Sequence, residues 1–266
     1  MEKITIVKVG GAVVEDENQL LQLLADFAAI PGRKVLVHGG GRRATKVAET
    51  MGIESHMVAG RRITDAAMLE VVTMVYGGLV NKNLVARLHT RGVNALGLTG
   101  ADMDIIRSHR RPEKEMRMDD GKLKKVDFGF VGDVDMVNGQ RLYNMIEGGC
   151  TPVIAPLTHD GKGSILNTNA DTIASEVAKA LAEYYQVTLI YSFEKPGVLR
   201  DANDDDSIIN VITRKEFDKF VADGTISGGM IPKIENALAA VDAGVSRVLI
   251  TLATAIDGNH GTIIKK

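Results

Sequence analysis

The sequence predicts an α/β fold built on an open, mainly parallel sheet. Short runs of β-branched and aliphatic residues recur at residues 4–9, 34–38, 93–98, 151–155, 186–192 and 247–251, the composition of strands buried on both faces. Stretches with apolar residues at helical spacing alternate with them. Several strand ends also run into glycines just ahead of a helix, where open α/β sheets bind ligands.

Composition narrows the function classes. The 266 residues suit one large domain or two small ones, and 45% apolar with 25% charged residues is the balance of a folded soluble protein. A formal charge of −2 gives no electrostatic case for nucleic acid or an acidic membrane as partner. The single cysteine, Cys150, excludes an intramolecular disulfide and a Cys-rich metal site. Placed after Gly148-Gly149 and before a strand, it reads as a small buried residue rather than a nucleophile. The chain opens on a strand without a signal peptide, and no apolar run nears the roughly 18 residues that span a bilayer. A cytoplasmic location is therefore expected.

The first strand, within ITIVKVGG at residues 4–11, is interrupted by Lys8 just before Gly10 and Gly11. A Lys is rarely buried without a partner. Two readings fit: a solvated Lys at a glycine turn, or a Lys pointing into a cleft where the glycine N–H groups meet an anion. Residues 15–30 carry a helical stripe (Leu20, Leu21, Leu23, Leu24, Phe27) that Pro31-Gly32 ends. The strand KVLVH at 34–38 follows, then Gly39-Gly40-Gly41 and a helix over 42–51. If these strands are parallel neighbours, their glycine loops lie side by side and grip one phosphate or carboxylate from both sides. The run fits neither GxGxxG nor the P-loop pattern, which argues against a dinucleotide-linked dehydrogenase.

AGRRITD at 59–65 places Arg61 and Arg62 just before a helix with Thr64 or Asp65 as its N-cap. An Arg there is either solvated or forks onto a carboxylate. The helix runs over 65–91, with a break or kink expected at Gly77-Gly78. Residues 103–135 mix basic and acidic side chains with alternating Val126, Phe128 and Phe130, and read as antiparallel hairpins turning at Asp120-Gly121. Interleaved acids make this a solvated face rather than a nucleic-acid surface. A short helix over 140–148 precedes the strand at 151–155. ILNTNAD at 165–171 then leads into an Ala-rich helix. Asn167, Asn169 and Asp171 are spaced by two and share one face if extended; capping accounts for one of them, not all three. The acidic run 203–206 lacks the Gly and Glu positions of an EF-hand and reads as a solvated turn. Thr213 and Glu216 form a capping box for a helix over 213–222. Gly228-Gly229-Met230-Ile231-Pro232-Lys233 opens the last helix. Lys233 falls in its first turn, where the macrodipole opposes a cation, so an anionic ligand explains it better than helix stability does.

Lys8 and Lys233 thus come from glycine-rich junctions at opposite ends of the chain, and Asp171 from a third. Phosphoryl transfer needs reactants held in line and developing charge neutralised, which two lysines and the N–H groups of Gly11 and Gly41 supply, with Asp171 orienting both lysines.

KVGG at Lys8, HGGG at His38, GRRIT around Arg62, NTNAD at Asn167 and GGMIPK ending at Lys233 resemble, in order and spacing, the amino-acid kinase family. Within it, the chain is similar to members that phosphorylate the side-chain carboxylate of an N-acylated L-glutamate. The resemblance covers essentially the whole chain. It implies a three-layer α/β/α sandwich, the amino-acid kinase fold, in which residues 1–169 bind the acyl amino acid and form a dimer, and residues 170–266 bind ATP. It implies Lys8, Lys233 and Asp171 as the catalytic set, and Gly40, Gly41, Arg62 and Asn167 as substrate-binding. Gly10, Gly11 and Gly229 are implied on phosphate, Asn169 is adjacent, no residue is a dedicated metal ligand, and Mg²⁺ rides with ATP. The expected substrate is N-acetyl-L-glutamate.

The chain departs from the family where relatives carry Thr or Ser followed by Asp-Val-Pro-Gly. Here the run is Ser192-Phe193-Glu194-Lys195-Pro196-Gly197, so adenine contacts do not carry over. The basic run holding Arg107, Arg110 and Arg117 leaves an N-succinyl substrate as an alternative, and a non-catalytic ligand-binding relative is a third reading. A chain beginning at its first strand lacks the helix that links arginine-inhibited hexamers, so an arginine-insensitive homodimer is expected.

Overall fold

The computed structural model describes residues 1–58, 61–117, 123–201, 203–228 and 230–266; the side chains of Arg117 and Pro232 are outside the description. The central sheet has eight strands among the described residues: β1 (Lys3–Val9), β2 (Arg33–His38), β3 (Ala95–Leu98), β4 (Thr151–Ile154), β5 (Gln186–Phe193), β6 (Val211–Ile212), β7 (Arg247–Leu252) and β8 (Thr262–Ile264). Their order is β6-β8-β7-β5-β1-β2-β4-β3. β8 runs antiparallel to β7, and β6 follows β8; the other neighbours are parallel. β1 lies at the centre with β5 on one side and β2 on the other.

Strand alternation sorts the side chains into two cores. Ile4 and Ile6, Val35 and Val37, and Val187, Leu189 and Tyr191 pack on the face covered by α6 (Gly139–Glu147), α7 (Ala170–Leu181), α8 (Arg214–Ala222) and α9 (Met230–Asp242). Val7, Val9, Leu36 and Ile190 pack on the opposite face, against α2 (Glu17–Ala29), α3 (Gly41–Thr50), α4 (Ala66–Val72) and α5 (Asn81–His89). Helices on both faces of the sheet make the three-layer sandwich. The inner faces of α2 and α7 bury Leu23, Leu24, Phe27, Val177 and Leu181 completely, each contributing about 1.5–3 kcal/mol of apolar burial. By the same period of two, Lys8 falls on the Ile4 and Ile6 side, facing α7.

The expected elements recur with local differences. The helix expected over 15–30 is present as α2, whose N-cap Asp16 accepts a hydrogen bond from Gln19 N, and a short helix that the sequence reading did not place, α1 (Gly11–Glu15), precedes it. The helix expected to break or kink at Gly77-Gly78 does not break: it continues there through a π-helical stretch, Thr73–Val80, between α4 and α5. Gly77 lets it lie close to Leu157 and Thr99, and the wider turns bring Tyr76 against the second glycine turn. Cys150, expected to be buried, is half-exposed after the turn that ends α6. Ile165–Asn167, Leu157–His159, Ile106–Arg110 and Gly132–Val137 form a second sheet, and Lys114–Arg117 pairs with Leu123–Val126 as a hairpin. Its turn, expected at Asp120-Gly121, lies outside the described residues.

Candidate active site

The two amino-terminal glycine junctions close on each other. Gly39 N donates to Val9 O at 2.9 Å, and a Cβ on Gly11 would lie 3.4 Å from Gly41 N and 3.5 Å from Gly40 N. No side chain caps α1 at Gly10 or α3 at Gly40. The N–H groups of the first turn of α3 are therefore left for an anion, where the helix dipole favours one. Tyr76 packs on Gly40, leaving no space for a Cβ there, which would sit 2.9 Å from the ring.

Behind this turn His38 is fully buried. Asn81 Nδ2 donates to His38 Nε2 at 3.1 Å and to Val153 O at 2.9 Å, so Nδ1 carries the proton and donates to Gly39 O at 2.8 Å. Burial pulls the imidazole down to about 4, so it is neutral at ordinary pH. The histidine of the HGGG run thus anchors the glycine turn from the core.

Lys8 reaches from the end of β1 to the first turn of α7, where its Nζ lies 2.7 Å from Asp171 Oδ1. That oxygen is buried and has no other polar partner, so the Lys8 ammonium is what meets its charge. A Cβ on Gly10 would stand 3.9 Å from the ammonium. Lys233, in the first turn of α9, arrives from the other side. The expectation that Asp171 orients both lysines is corrected. Asp171 touches Lys8, whereas Lys233 Nζ sits 4.1 Å from the centre of the Phe193 ring and makes no ion pair within 4.0 Å among the described residues. Burial holds Lys233 below the usual lysine range; Asp171 opposes that shift and Lys8 adds to it.

Arg62 and Asn167 are more fully bonded. Arg62 Nη2 donates to Gly41 O at 3.0 Å and to Thr45 Oγ1 at 2.8 Å, and Nη1 donates to Ser55 Oγ. The guanidinium therefore braces the glycine turn. Asn167 is buried at the end of its strand, with Nδ2 donating to Thr64 Oγ1 at 2.9 Å. Asn169 is the N-cap of α7: its Oδ1 accepts from Asp171 N at 2.8 Å and Thr172 N at 3.2 Å. Asp65 caps α4. Gly229 lies outside the described residues.

The family model described as amino acid kinase family matches residues 3–252. The chain belongs to the amino acid kinase family. It is 65% identical to an acetylglutamate kinase of Bacteroides thetaiotaomicron, over 100% of this chain and 99% of that one, and 65% identical to an acetylglutamate kinase of Phocaeicola vulgatus at the same coverage. Among solved structures, the protein smu.665 from Streptococcus mutans superposes with a TM-score of 0.77 at 28% identity, covering 98% of each chain.

In this amino acid kinase the structure adds residues that the sequence reading did not single out. Phe193, the last residue of β5, lies under both lysines, with Lys8 Nζ 5.3 Å from its centre. Arg42 Nη2 donates to Glu194 Oε1 at 3.0 Å, joining the start of α3 to the end of β5. The basic run offers no uncommitted guanidinium at Arg107 or Arg110: the first pairs with Asp104 and the second with Asp127, both at 2.7 Å. Interleaved acids 3 and 17 positions away in sequence carried that signal.

Proposed function

We propose that the chain transfers the γ-phosphoryl group of ATP to the side-chain carboxylate of N-acetyl-L-glutamate, giving N-acetyl-L-glutamyl 5-phosphate in arginine biosynthesis. The observation that carries this reading is the meeting of Lys8, Lys233 and Asp171 with two uncapped glycine turns, in a chain 65% identical throughout to proteins named acetylglutamate kinase. Lys8 and Lys233 neutralise the charge that spreads over the transferring phosphoryl group, and Asp171 fixes Lys8. The backbone of Gly10 and Gly11 holds the phosphoryl group and that of Gly40 and Gly41 holds the attacking carboxylate in line, and Gly229 remains a phosphate-binding residue by its place in the GGMIPK run. Arg62 and Asn167 hold the acylated glutamate, and Asn169 positions Asp171 by capping its helix. Residues 1–169 serve the acyl amino acid and residues 170–266 serve ATP, across one continuous sheet.

Mg²⁺ fits this site as an ion carried by the nucleotide. No three His, Cys, Asp or Glu side chains converge among the described residues, and Asp171 is engaged by Lys8, so the phosphates held by Lys8 and the α3 turn would hold the ion. Bound there, it would offset the charge of the β- and γ-phosphates. The protein acts as a cytoplasmic homodimer in this reading. Its support is the edge of the sheet at β3, where Leu96, and Met74 and Leu79 on the nearby helix, are exposed.

The test traps the acyl phosphate with hydroxylamine, using N-acetyl- and N-succinyl-L-glutamate in parallel. Hydroxamate from the acetyl substrate in preference to the succinyl one is expected. A succinyl preference would reassign the acyl group, and no hydroxamate from either would leave a ligand-binding protein. Light scattering reads the dimer mass.

A further inference from the structure

The alternation that sends Lys8 toward α7 sends Tyr191 and Phe193 there too. Lys8 is paired in register with Tyr191 across β1 and β5, and Phe193 ends β5 one side-chain repeat further on. The Tyr191 and Phe193 rings stack at 6.2 Å with planes 19° apart, and Tyr191 OH donates to Asp171 O at 3.2 Å. Phe193 is thus tied, through Tyr191, to the turn that holds Asp171. Lys233 Nζ lies 4.1 Å and Lys8 Nζ 5.3 Å from the Phe193 centroid. Both distances are inside the roughly 6 Å over which a ring face attracts an ammonium.

We propose that Phe193 is a positioning residue for the two lysines: its ring face holds Lys233, and secondarily Lys8, in place of a second carboxylate. The argument is one of charge. A phosphoryl group in transit needs positive charge that is fixed but not neutralised. Asp171 already cancels one ammonium at 2.7 Å. A second carboxylate would hold Lys233 equally well, yet it would cancel the remaining charge and repel the phosphates. An aromatic face attracts the ammonium and leaves its charge whole. The groups facing Lys233 are Asp171 from α7, Lys8 from β1 and Glu194 just beyond β5, and Glu194 is itself shared with Arg42. Phe193 stands in the run Ser192-Phe193-Glu194-Lys195-Pro196-Gly197. The inference rests on the kinase reading above.

The decisive experiment keeps the shape and changes the ring electrostatics. Phenylalanine at position 193 is replaced by its 4-fluoro, 3,5-difluoro and 3,4,5-trifluoro derivatives, which weaken the ring face stepwise. The Lys233 titration is followed by NMR of Lys labelled at Cε, and kcat and KM for ATP are measured separately. Expected is a stepwise fall in kcat, about three- to tenfold by the last member, with the Lys233 midpoint moving down by about half a unit to one unit. Phe193→Tyr keeps kcat within about threefold. Phe193→Leu lowers both kcat and the midpoint, whereas Phe193→Asp lowers kcat but raises the midpoint. A kcat and a midpoint both flat across the fluorinated series would overturn the proposal and leave Phe193 as packing, even if Phe193→Leu fails to fold. If the natural protein gives no acyl phosphate, the kinase reading falls, while the Lys233 midpoint still decides the role of the ring.

Discussion

The two halves of the site are built from different materials. The amino-terminal half, at the ends of β1 and β2, is backbone: glycines packed against glycines, at the starts of helices that no side chain caps. The other half, where Lys8 of β1 meets α7, α9 and the end of β5, is side chain: an ammonium on a carboxylate, a second on a ring. Elsewhere helices begin on capping side chains, as α2 does at Asp16, α4 at Asp65, α6 at Asn138 and α8 at Thr213. The contrast separates what fixes distance from what supplies charge. In the proposed reaction the backbone half would set where the phosphoryl group and the acceptor lie, and the side-chain half would supply the field for the transfer.

The largest effect is expected from removing charge in the side-chain half. Lys8→Ala and Asp171→Asn should each lower kcat by about 10²–10³-fold, the usual loss for one preorganised electrostatic group. Circular dichroism should report an unchanged fold in Lys8→Ala. A loss confined to KM for the acylated glutamate would place Lys8 with the substrate instead and break the division between the halves.

The backbone half should respond to pH through stability. His38 is neutral in the folded protein, its affinity for a proton lowered to about 4 from the ordinary 6.5. The unfolded chain therefore binds the proton first as pH falls. The stability is fully present above pH 6.5 and is lost progressively as pH drops toward 4, by up to about 3 kcal/mol. Urea unfolding between pH 7 and 4.5 measures the slope. His38→Asn, less stable at pH 7, should show a flatter slope over that window, and equal slopes in both proteins would remove His38 from the account. Carboxylates held low by partners, such as Glu147 beside Arg33 at about 2, act at lower pH.

Much of this was legible in the sequence because it depends on local rules. The strand ITIVKV, the glycines after it and the Lys within it are read from one short window, and a period of two is enough to aim Lys8. Lys233 was legible from its conflict with the helix dipole. Phe193 was not, since an aromatic at the end of a strand looks like core until α9, from a distant part of the chain, brings Lys233 over it. The role of Asn169 was legible only as one of three candidates, because capping and ligand binding ask for the same residue types. The π-helical stretch had no local signal: Gly77-Gly78 reads as a break or kink, and only packing against Leu157 and Thr99 makes a continuous helix the better solution.

The spacing of the backbone half can be tested with one methyl group. In Gly39→Ala the new Cβ would stand 3.1 Å from Gly11 N, with main chain on both sides. The two turns must part slightly, at a cost of about 1–3 kcal/mol in stability. A shift of that kind between reactants should lower kcat about tenfold. Gly78→Ala is the control, since nothing lies within 4 Å of its Cβ. It should leave kcat unchanged and stabilise the helix by about 0.5–1 kcal/mol. Equal activity in both variants would mean that the glycine turns do not set the reaction distance.

The smallest effect sharpens the contrast between capped and uncapped helices. At the start of α8, Thr213 accepts from Glu216 N, while Glu216 Oε2 accepts from Thr213 N at 2.8 Å, so the cap is satisfied within itself. Thr213→Ala should therefore cost about 1 kcal/mol, a fall of about 2–4 °C in melting temperature for a chain of this size, with kcat and KM unchanged. At α3 the same free N–H groups exist, but no side chain closes them. Phosphate should then raise the melting temperature of the natural protein and of Thr213→Ala by the same amount, because the groups it meets belong to the glycine turns and not to α8. A smaller rise in Thr213→Ala would show that the anion also draws on α8, and the division between helices that bind and helices that only hold would fail.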